Sequence, residues 1–332
     1  MILVTGGTGL VGAHILLHIV SQASEAQSQL RATYRSQASI KKTKSLFDRY
    51  NKASLFDRIE WVQADILDIP ALEITFEGIT MVYHCAAFIS FDPRDEDILR
   101  KTNIEGTANI VNFALAKGIK KLCHISSIAA LGDVIGSQTV INEEAEWNPE
   151  KQHSDYAISK YGAEMEVWRA QQEGLDVIII NPGVILGPGF PDQGSGELIT
   201  KVANGMPYYT LGTTGFIAVT DVATIAYQLM NSSKTNKRYT LIAENISFKD
   251  FFDTVATALK VKKPTKHATP FMIEIAWRID AVMARVFKRK RKFTQAAAVA
   301  SIAMNTYSND KIKADLDFEF TNVRHYIQEN FS

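Results

Sequence analysis

The apolar, β-branched run Ile2-Leu3-Val4-Thr5 passes straight into Gly6-Gly7-Thr8-Gly9-Leu10-Val11-Gly12, and an apolar helical pattern follows at once. Few chain starts restrict the fold as much. Glycine at position 6 permits a tight turn from strand to helix, glycine at 9 lets a pyrophosphate approach the backbone, and glycine at 12 lets helix and strand pack closely. The helix N-terminus offers unpaired N–H groups and the positive end of its dipole to the phosphates. Thr8 and Leu10 stand in the same turn and are expected, with Gly6, Gly9 and Gly12, to touch the cofactor. A glycine triplet alone occurs in ordinary turns; its place between a strand and a helix at the head of a βαβ series is what points to a dinucleotide.

Similar runs recur at Leu30 to Tyr34, Ile59 to Val62, Met81 to His84, Lys121 to Ser126 and Asp176 to Asn181, with helical patterns between them. Such alternation builds βαβ units with right-handed crossovers. Parallel strands are covered on both faces, so Val177-Ile178-Ile179-Ile180 is continuously apolar. The expected fold is α/β, a Rossmann-type doubly wound parallel sheet with a smaller, mainly helical C-terminal lobe. Ser21 to Gln29 reads as a polar helix end and loop. After Asn181-Pro182-Gly183 the chain crowds Gly187, Pro188, Gly189, Pro191, Gly194 and Gly196 together, which is loop chemistry and a pocket wall. Asp221 to Met230 and Arg238 to Ile242 then read as a further helix and strand of the sheet. The expected nucleotide-binding domain is therefore 1–182 plus about 213–243, and the substrate lobe about 183–212 plus 244–332. In that lobe Ser247 and Asp250 predict a helix cap. Met272, Ile275, Ala276, Ile279, Met283 and Val286 share one helical face, expected to pack on the core.

With 332 residues, 46% of them apolar, the chain can bury a large core and carry an appended domain. Its 36 basic and 36 acidic residues balance, so no overall field draws it to nucleic acid, and a small molecule is the expected partner. Cys85 and Cys123 lie in apolar runs, as small core residues of a reducing, cytoplasmic compartment do; neither a disulfide nor a metal site is expected. No basic n-region precedes the glycines, and no stretch approaches the roughly 20 apolar residues that span a bilayer. The basic run Lys288 to Lys292 reads as a solvated face at a helix C-terminus, with acidic lipid or a partner as the alternative.

The end of the second strand bears on the choice of nicotinamide cofactor. A carboxylate there would bind the ribose 2′-OH of NAD, and Arg31-Ala32-Thr33-Tyr34-Arg35-Ser36 has none. Arg35 is instead suited to clasp a 2′-phosphate, with Lys42 sharing it and Lys41 and Lys44 nearby, so NADP(H) is favoured and NAD(H) is the alternative. Asp65, followed by Ile66 after the third strand, suits either the adenine amino group or a helix N-cap.

The chemistry is read from Asp155-Tyr156-Ala157-Ile158-Ser159-Lys160. An i, i+4 pair puts phenol and ammonium on one helical face, where the ammonium favours the phenolate and suits Tyr156 to proton transfer. Ser127, at the C-terminal end of the fifth strand where doubly wound sheets place their ligands, has a hydroxyl that can hold a substrate oxygen.

Together with the glycine turn, Ala64-Asp65-Ile66, Tyr83-His84-Cys85-Ala86-Ala87, Asn103-Ile104-Glu105-Gly106-Thr107, Ser126-Ser127 with Gly132, Tyr156 to Lys160 and Asn181-Pro182-Gly183 occur in the order of the extended short-chain dehydrogenase/reductase family. The chain resembles that family over roughly its first 230 residues. The resemblance implies that Ser127 polarises the substrate oxygen, Tyr156 shuttles its proton, Lys160 also holds the nicotinamide ribose and Asn103 orders a proton-relay water. It further implies that Ala86 and Ala87 lie against the cofactor and that Pro182 to Val184, Val184 included, pass the nicotinamide. Ser127 is preferred to Ser126 because its distance to Gly132 matches the family pattern. The family often dimerises through the helices carrying Asn103 and Tyr156, so a homodimer stays open.

Thr33-Tyr34-Arg35 and the helical C-terminal half, with Tyr307-Ser308-Asn309 and Lys311, look like the dihydroflavonol reductase and 3β-hydroxysteroid dehydrogenase branch. That branch interconverts ketones or aldehydes and alcohols. Sugar-nucleotide epimerases usually present an arginine and a histidine before the aspartate that opens the later helix, and Thr213 to Asp221 has neither. Phe88, Phe91, Ile128, Phe190 and Tyr208 are candidates for an apolar substrate pocket. The expected activity is hydride transfer between NADP(H) and a carbonyl or alcohol of a small, fairly apolar substrate. The alternatives are a nucleotide-sugar epimerase and a non-catalytic dinucleotide-binding sensor.

Overall fold

A computed structural model describes residues 1–22, 29–133 and 139–332; most of the loop expected over 21–29 lies outside these residues. Seven parallel strands form the main sheet: β1 Ile2–Thr5, β2 Leu30–Tyr34, β3 Ile59–Gln63, β4 Met81–His84, β5 Lys121–Ile125, β6 Asp176–Pro182 and β7 Lys237–Leu241. Their spatial order is β7-β6-β5-β4-β1-β2-β3. The order reverses between β1 and β4, so the crevice of this doubly wound sheet opens where their C-terminal ends diverge.

The continuous apolar strands are explained by what covers them. Ile178 and Ile180 join Val4, Tyr83 and Cys123 on the face covered by α1 (Leu10–Gln22), with the side chains of Ile15, Leu16 and Ile19. Val177 and Ile179 join Leu3, Val82 and Leu122 on the other face, under Ile110, Val111 and Ala114 of α3 (Gly106–Ala116) and Val167 and Ala170 of α4 (Asp155–Gln172). Between β2 and β3 runs α2 (Gln37–Arg49), tied to the glycine turn by a bond from Thr43 Oγ1 to the Gly7 carbonyl at 3.1 Å.

Beyond β6 the chain builds a second, three-stranded sheet. Thr213–Ala218 lies between Val184–Leu186, which is parallel to it, and Glu244–Ser247, which is antiparallel. Helix α5 (Val219–Met230) and β7 then rejoin the main sheet, where a helix and strand are expected from Asp221 to Met230 and Arg238 to Ile242. Helix α6 (Phe248–Ala258) buries Phe251 and Val255 against Phe216, and its expected cap is formed: the Asp250 N–H donates to Ser247 Oγ at 3.1 Å.

The helix α7 (Pro270–Val286) departs from expectation. Its apolar face, Met272, Ile275, Ala276, Ile279, Met283 and Val286, points outward; the buried residues are Ile273, Asp280 and Ala284. The inward face contains a carboxylate because Asp280 accepts from the backbone N–H groups of Lys292 and Phe293 at 3.0 and 3.2 Å and from the Arg289 guanidinium at 2.7 Å.

The C-terminal segment is fastened to the sheet domain at the start of α5. Buried Asp221 accepts from the Thr321 N–H at 2.8 Å and the Thr321 hydroxyl at 2.7 Å. Replacing Asp221 with alanine strips both donors of their acceptor and is expected to lower stability by about 2 kcal/mol in urea unfolding. An unchanged midpoint would show that the tie contributes nothing.

Candidate active site

The glycine turn has the shape its sequence demands. Gly6 adopts φ +68°, and a Cβ there would stand 2.7 Å from the Ala86 nitrogen. At Gly12 a Cβ would overlap the Gly6 carbonyl, so close packing requires glycine there as well. Gly9 differs: a Cβ would meet only the Gly6 carbonyl oxygen, at an ordinary 3.5 Å. Among the described residues no packing forbids a side chain at Gly9, and the bare backbone there is open to a ligand. A pyrophosphate at the head of α1 fits that cradle. Thr8 and Leu10 are half-buried beside it, and a Cβ at Gly187 would stand 2.8 Å from Leu10. Ala86, whose N–H donates to Thr5 Oγ1 at 3.3 Å, is half-buried at the crevice, and Ala87 is exposed.

At the end of β2, Gly6 N–H donates to Thr33 Oγ1 at 3.3 Å, so the turn and this strand share one edge of the crevice. Arg35 is exposed next to it. Its carbonyl accepts from Gln63 Nε2, and its guanidinium has no hydrogen bond or ion pair among the described residues. Lys42 is already paired, with Asp192 at 3.3 Å, so it faces the glycine-rich loop. Asp65 is not a helix N-cap: its Oδ1 accepts from the Leu67 N–H at 3.0 Å in a local turn, and Asp68 caps the next helix through the Ala71 N–H. Buried Ile66 fills the space that a side chain at Gly106 would occupy.

Ser127, Tyr156 and Lys160 converge. Ser127 follows β5 and accepts from the Ala129 N–H at 3.1 Å, and the Tyr156 phenol lies beside its side chain. Tyr156 stands in the first turn of α4, which Ser154 caps by accepting from Ala157 N–H. Burial pushes the Tyr156 phenol above its ordinary range, and the neighbouring Ser127 side chain opposes the rise. The expected lowering by Lys160 is not what the fold produces. The Lys160 ammonium, buried, donates to the Ile125 carbonyl at 2.9 Å; burial brings it down to about 8, against the pull of Glu164.

Glu164, one turn beyond Lys160, was not anticipated. It is fully buried and accepts from the Ser126 hydroxyl and Asn181 Nδ2, both at 2.5 Å, and from Arg238 at 3.3 Å. Burial raises its carboxyl, and these donors oppose the rise. Asn181 also donates to the Ser127 carbonyl at 2.9 Å. The i, i+4 spacing from Lys160 was a signal that sequence reasoning could have used.

Asn103 lies in the π-helical turn Arg100–Glu105 that leads into α3. Its Oδ1 accepts from Phe88 N–H at 2.7 Å, and its Nδ2 donates to the Phe88 carbonyl and to Ser159 Oγ, both at 2.9 Å. The side chain therefore clamps the loop after β4 to α4. Two buried histidines below the site are neutral: burial, and then the Lys160 charge, bring His84 down to about 3 and hold His124 well below its ordinary range.

The expected pocket comes together in part. Phe91 sets its ring edge-on to Tyr156 at 5.6 Å, and Phe88 is fixed beside it by Asn103. Ile128 packs with Leu131, Ile242 and Tyr307. Phe190 is not a pocket wall, because Ala13 of α1 and Leu46 of α2 leave a hole that its ring fills completely. Tyr208 is exposed on a short ladder paired with Lys266–His267, with the Lys266 ammonium over its ring at 5.7 Å. Pro182 is buried at the end of β6, and Val184 opens the strand that pairs with Phe216.

Residues 2–242 match the NAD dependent epimerase/dehydratase family, and the chain belongs to it. It is an NAD(P)-dependent oxidoreductase of the extended short-chain dehydrogenase/reductase type. Over 289 residues it is 32% identical to a protein of Synechocystis sp. provisionally named dihydroflavonol 4-reductase, a match covering 85% of this chain and 79% of that one. It is 27% identical over 291 residues to sterol demethylase protein B of Methylococcus capsulatus, covering 87% and 84% of the two chains. The solved structure of gox2253 superimposes with a TM-score of 0.80 at 27% identity, over 99% of this chain and 96% of that one.

The Lys160 environment makes a prediction that needs no substrate. Its ammonium should lose its proton near pH 8, and Glu164→Gln, which removes the charge that opposes this shift, should move the titration lower still. Nitrogen-detected NMR of protein labelled at the lysine Nζ reads both. A Lys160 titration in the ordinary lysine range would contradict the assigned burial.

Proposed function

We propose that this enzyme is an NADP(H)-dependent reductase or dehydrogenase acting on a carbonyl or alcohol of a small, fairly apolar substrate, with Tyr156 as acid/base. The observation that carries the reading is the placing of the Tyr156 phenol beside the Ser127 side chain, one helical turn from a buried Lys160. Two neighbouring hydroxyls can hold a carbonyl oxygen, Ser127 by polarising it and Tyr156 by giving it a proton. The raised phenol is protonated at neutral pH and ready to donate. When bound, the nicotinamide supplies the hydride that the chemistry needs. Gly6, Thr8, Gly9, Leu10 and Gly12 would hold its pyrophosphate, Asp65 and Ile66 the adenine, and Ala86, Ala87, Lys160, Pro182 and Val184 the nicotinamide half. Phe91 and Phe88 would form the apolar wall against the substrate. With both cysteines free, a cytosolic setting suits the chain. We also read the chain as two lobes, 1–182 plus about 213–243 and the remainder, with the crevice between them.

Two substitutions and one screen test this. Tyr156→Phe should abolish turnover while leaving NADPH affinity unchanged, since it removes the proton donor and keeps the ring; loss of NADPH binding instead would sink the role. Aromatic and aliphatic ketones and aldehydes are screened for NADPH oxidation alongside UDP-sugars. Turnover of a UDP-sugar without net NADPH loss would replace this reading with that of an epimerase.

Arg35 underlies the cofactor preference, because its guanidinium stands free at the strand end where a 2′-phosphate would lie. A bidentate contact of that kind is worth roughly 10- to 150-fold in affinity. Arg35→Ala should weaken NADPH by about that factor and leave NADH nearly unchanged. Dissociation constants from tryptophan quenching at fixed salt would decide; equal weakening of both cofactors returns Arg35 to the surface.

A further inference from the structure

A second surface of the molecule faces solvent with side chains that water does not favour. Phe271, Ile279, Val282 and Val286 of α7 are each more than half exposed, and Met272, Ile275 and Met283 lie beside them. Phe287 follows at 63% exposure. The neighbouring α8 (Gln295–Ile302) packs on α7 and extends the surface with Val299 and, just past its end, Met304, the most exposed of all at 77%. On a helical wheel the outward centre of α7 is wholly apolar, with Glu274, Arg278 and Arg285 along one edge. A contiguous apolar patch of this kind on a folded chain marks a docking surface.

The charge around the patch says what docks. The chain as a whole is neutral, yet positions 270–305 carry seven basic residues and two acidic ones. Asp280 is inside, engaged with Arg289 and the backbone, and Glu274 is paired with Arg278 at 2.6 Å. Arg285, Lys288, Lys290 and Lys292 are exposed and make no ion pair among the described residues. The Arg289 and Arg291 side chains turn inward, to Asp280 and to the Trp277 carbonyl, which folds the basic segment back against the end of α7. An apolar helical ridge with free ammonium groups at its end is the arrangement that lies in a bilayer interface, apolar face down and cations among lipid phosphates. A second copy of the chain is the competing occupant: the apolar ridge alone would serve it, and the free ammonium groups at its end would not be needed. No helix among the described residues is long and apolar enough to cross a membrane, so the contact is with one surface.

We propose that α7, α8 and the turn Lys288 to Lys292 form a docking surface for an anionic phospholipid bilayer. The surface also touches the active site. The Arg291 N–H donates to the Asp92 carboxylate at 3.2 Å, and Asp92 is the neighbour of Phe91, whose ring meets Tyr156. The proposal holds whichever substrate the enzyme proves to use.

The test is sedimentation of the full chain with vesicles of phosphatidylcholine, with and without phosphatidylglycerol. The protein should pellet with the anionic vesicles and be released by salt. Replacing Lys288, Lys290 and Lys292 with serine should weaken binding on the order of 100-fold, since each cation near the surface contributes about a factor of five. Ile279→Glu with Val282→Glu should abolish it. All these positions are exposed, so thermal melting and NADPH affinity should be unchanged, and this separates lost docking from lost folding. The proposal fails if the unaltered protein ignores anionic vesicles, or if either variant binds them equally well. It also fails if light scattering finds a lipid-free dimer that Ile279→Glu with Val282→Glu splits, because the face would then belong to a second copy.

Discussion

A carboxylate with no access to solvent stands where β5, β6, β7 and α4 meet, and the arrangement of the active site depends on how it is satisfied. Glu164 is compensated by the Ser126 hydroxyl, Asn181 and Arg238, and by the charge of Lys160 one turn away. Burying such a charge is costly, and removing any one partner leaves part of that cost unopposed. Each partner is therefore held in place: Ser126 fixes the end of β5 and with it Ser127, while Asn181 fixes the end of β6 and also grips the Ser127 carbonyl. Arg238 brings in the edge strand. The position of one serine hydroxyl relative to one phenol is thus set by a network lying almost entirely beneath them.

The same logic explains what the sequence disclosed and what it withheld. The doubly wound sheet was legible because strands buried on both faces must be continuously apolar, and the glycine turn because Gly6 and Gly12 meet neighbouring backbone that leaves no room for a Cβ. Tyr156, Lys160 and Ser127 were legible as a set through their order along the chain. Glu164 was not, since a glutamate within a helix is ordinarily solvated, and only the fold shows that this one faces two strand ends. Asn103 was found, but its side chain has both donors taken by Phe88 and Ser159, a detail that depends on where the loop after β4 lands.

Two misjudged features share a different cause. Periodicity shows that α7 has an apolar face, but it does not say which way the face points. Here the inward side was claimed by Ile273, Ala284 and an aspartate that gathers the following turn. Phe190 likewise sits in a glycine-rich loop near the cleft, and only the gap between Ala13 and Leu46 determines that its ring is packing rather than lining.

Asp92 gives the molecule a connection that neither its fold nor its chemistry required. One carboxylate holds Arg94 within its own loop and, on the far side, the backbone of Arg291. Its neighbour Phe91 is the ring against the Tyr156 phenol. The ring beside the phenol and the turn after α7 are thus anchored to one loop through two adjacent residues, so whatever holds that turn also bears on the wall of the active site.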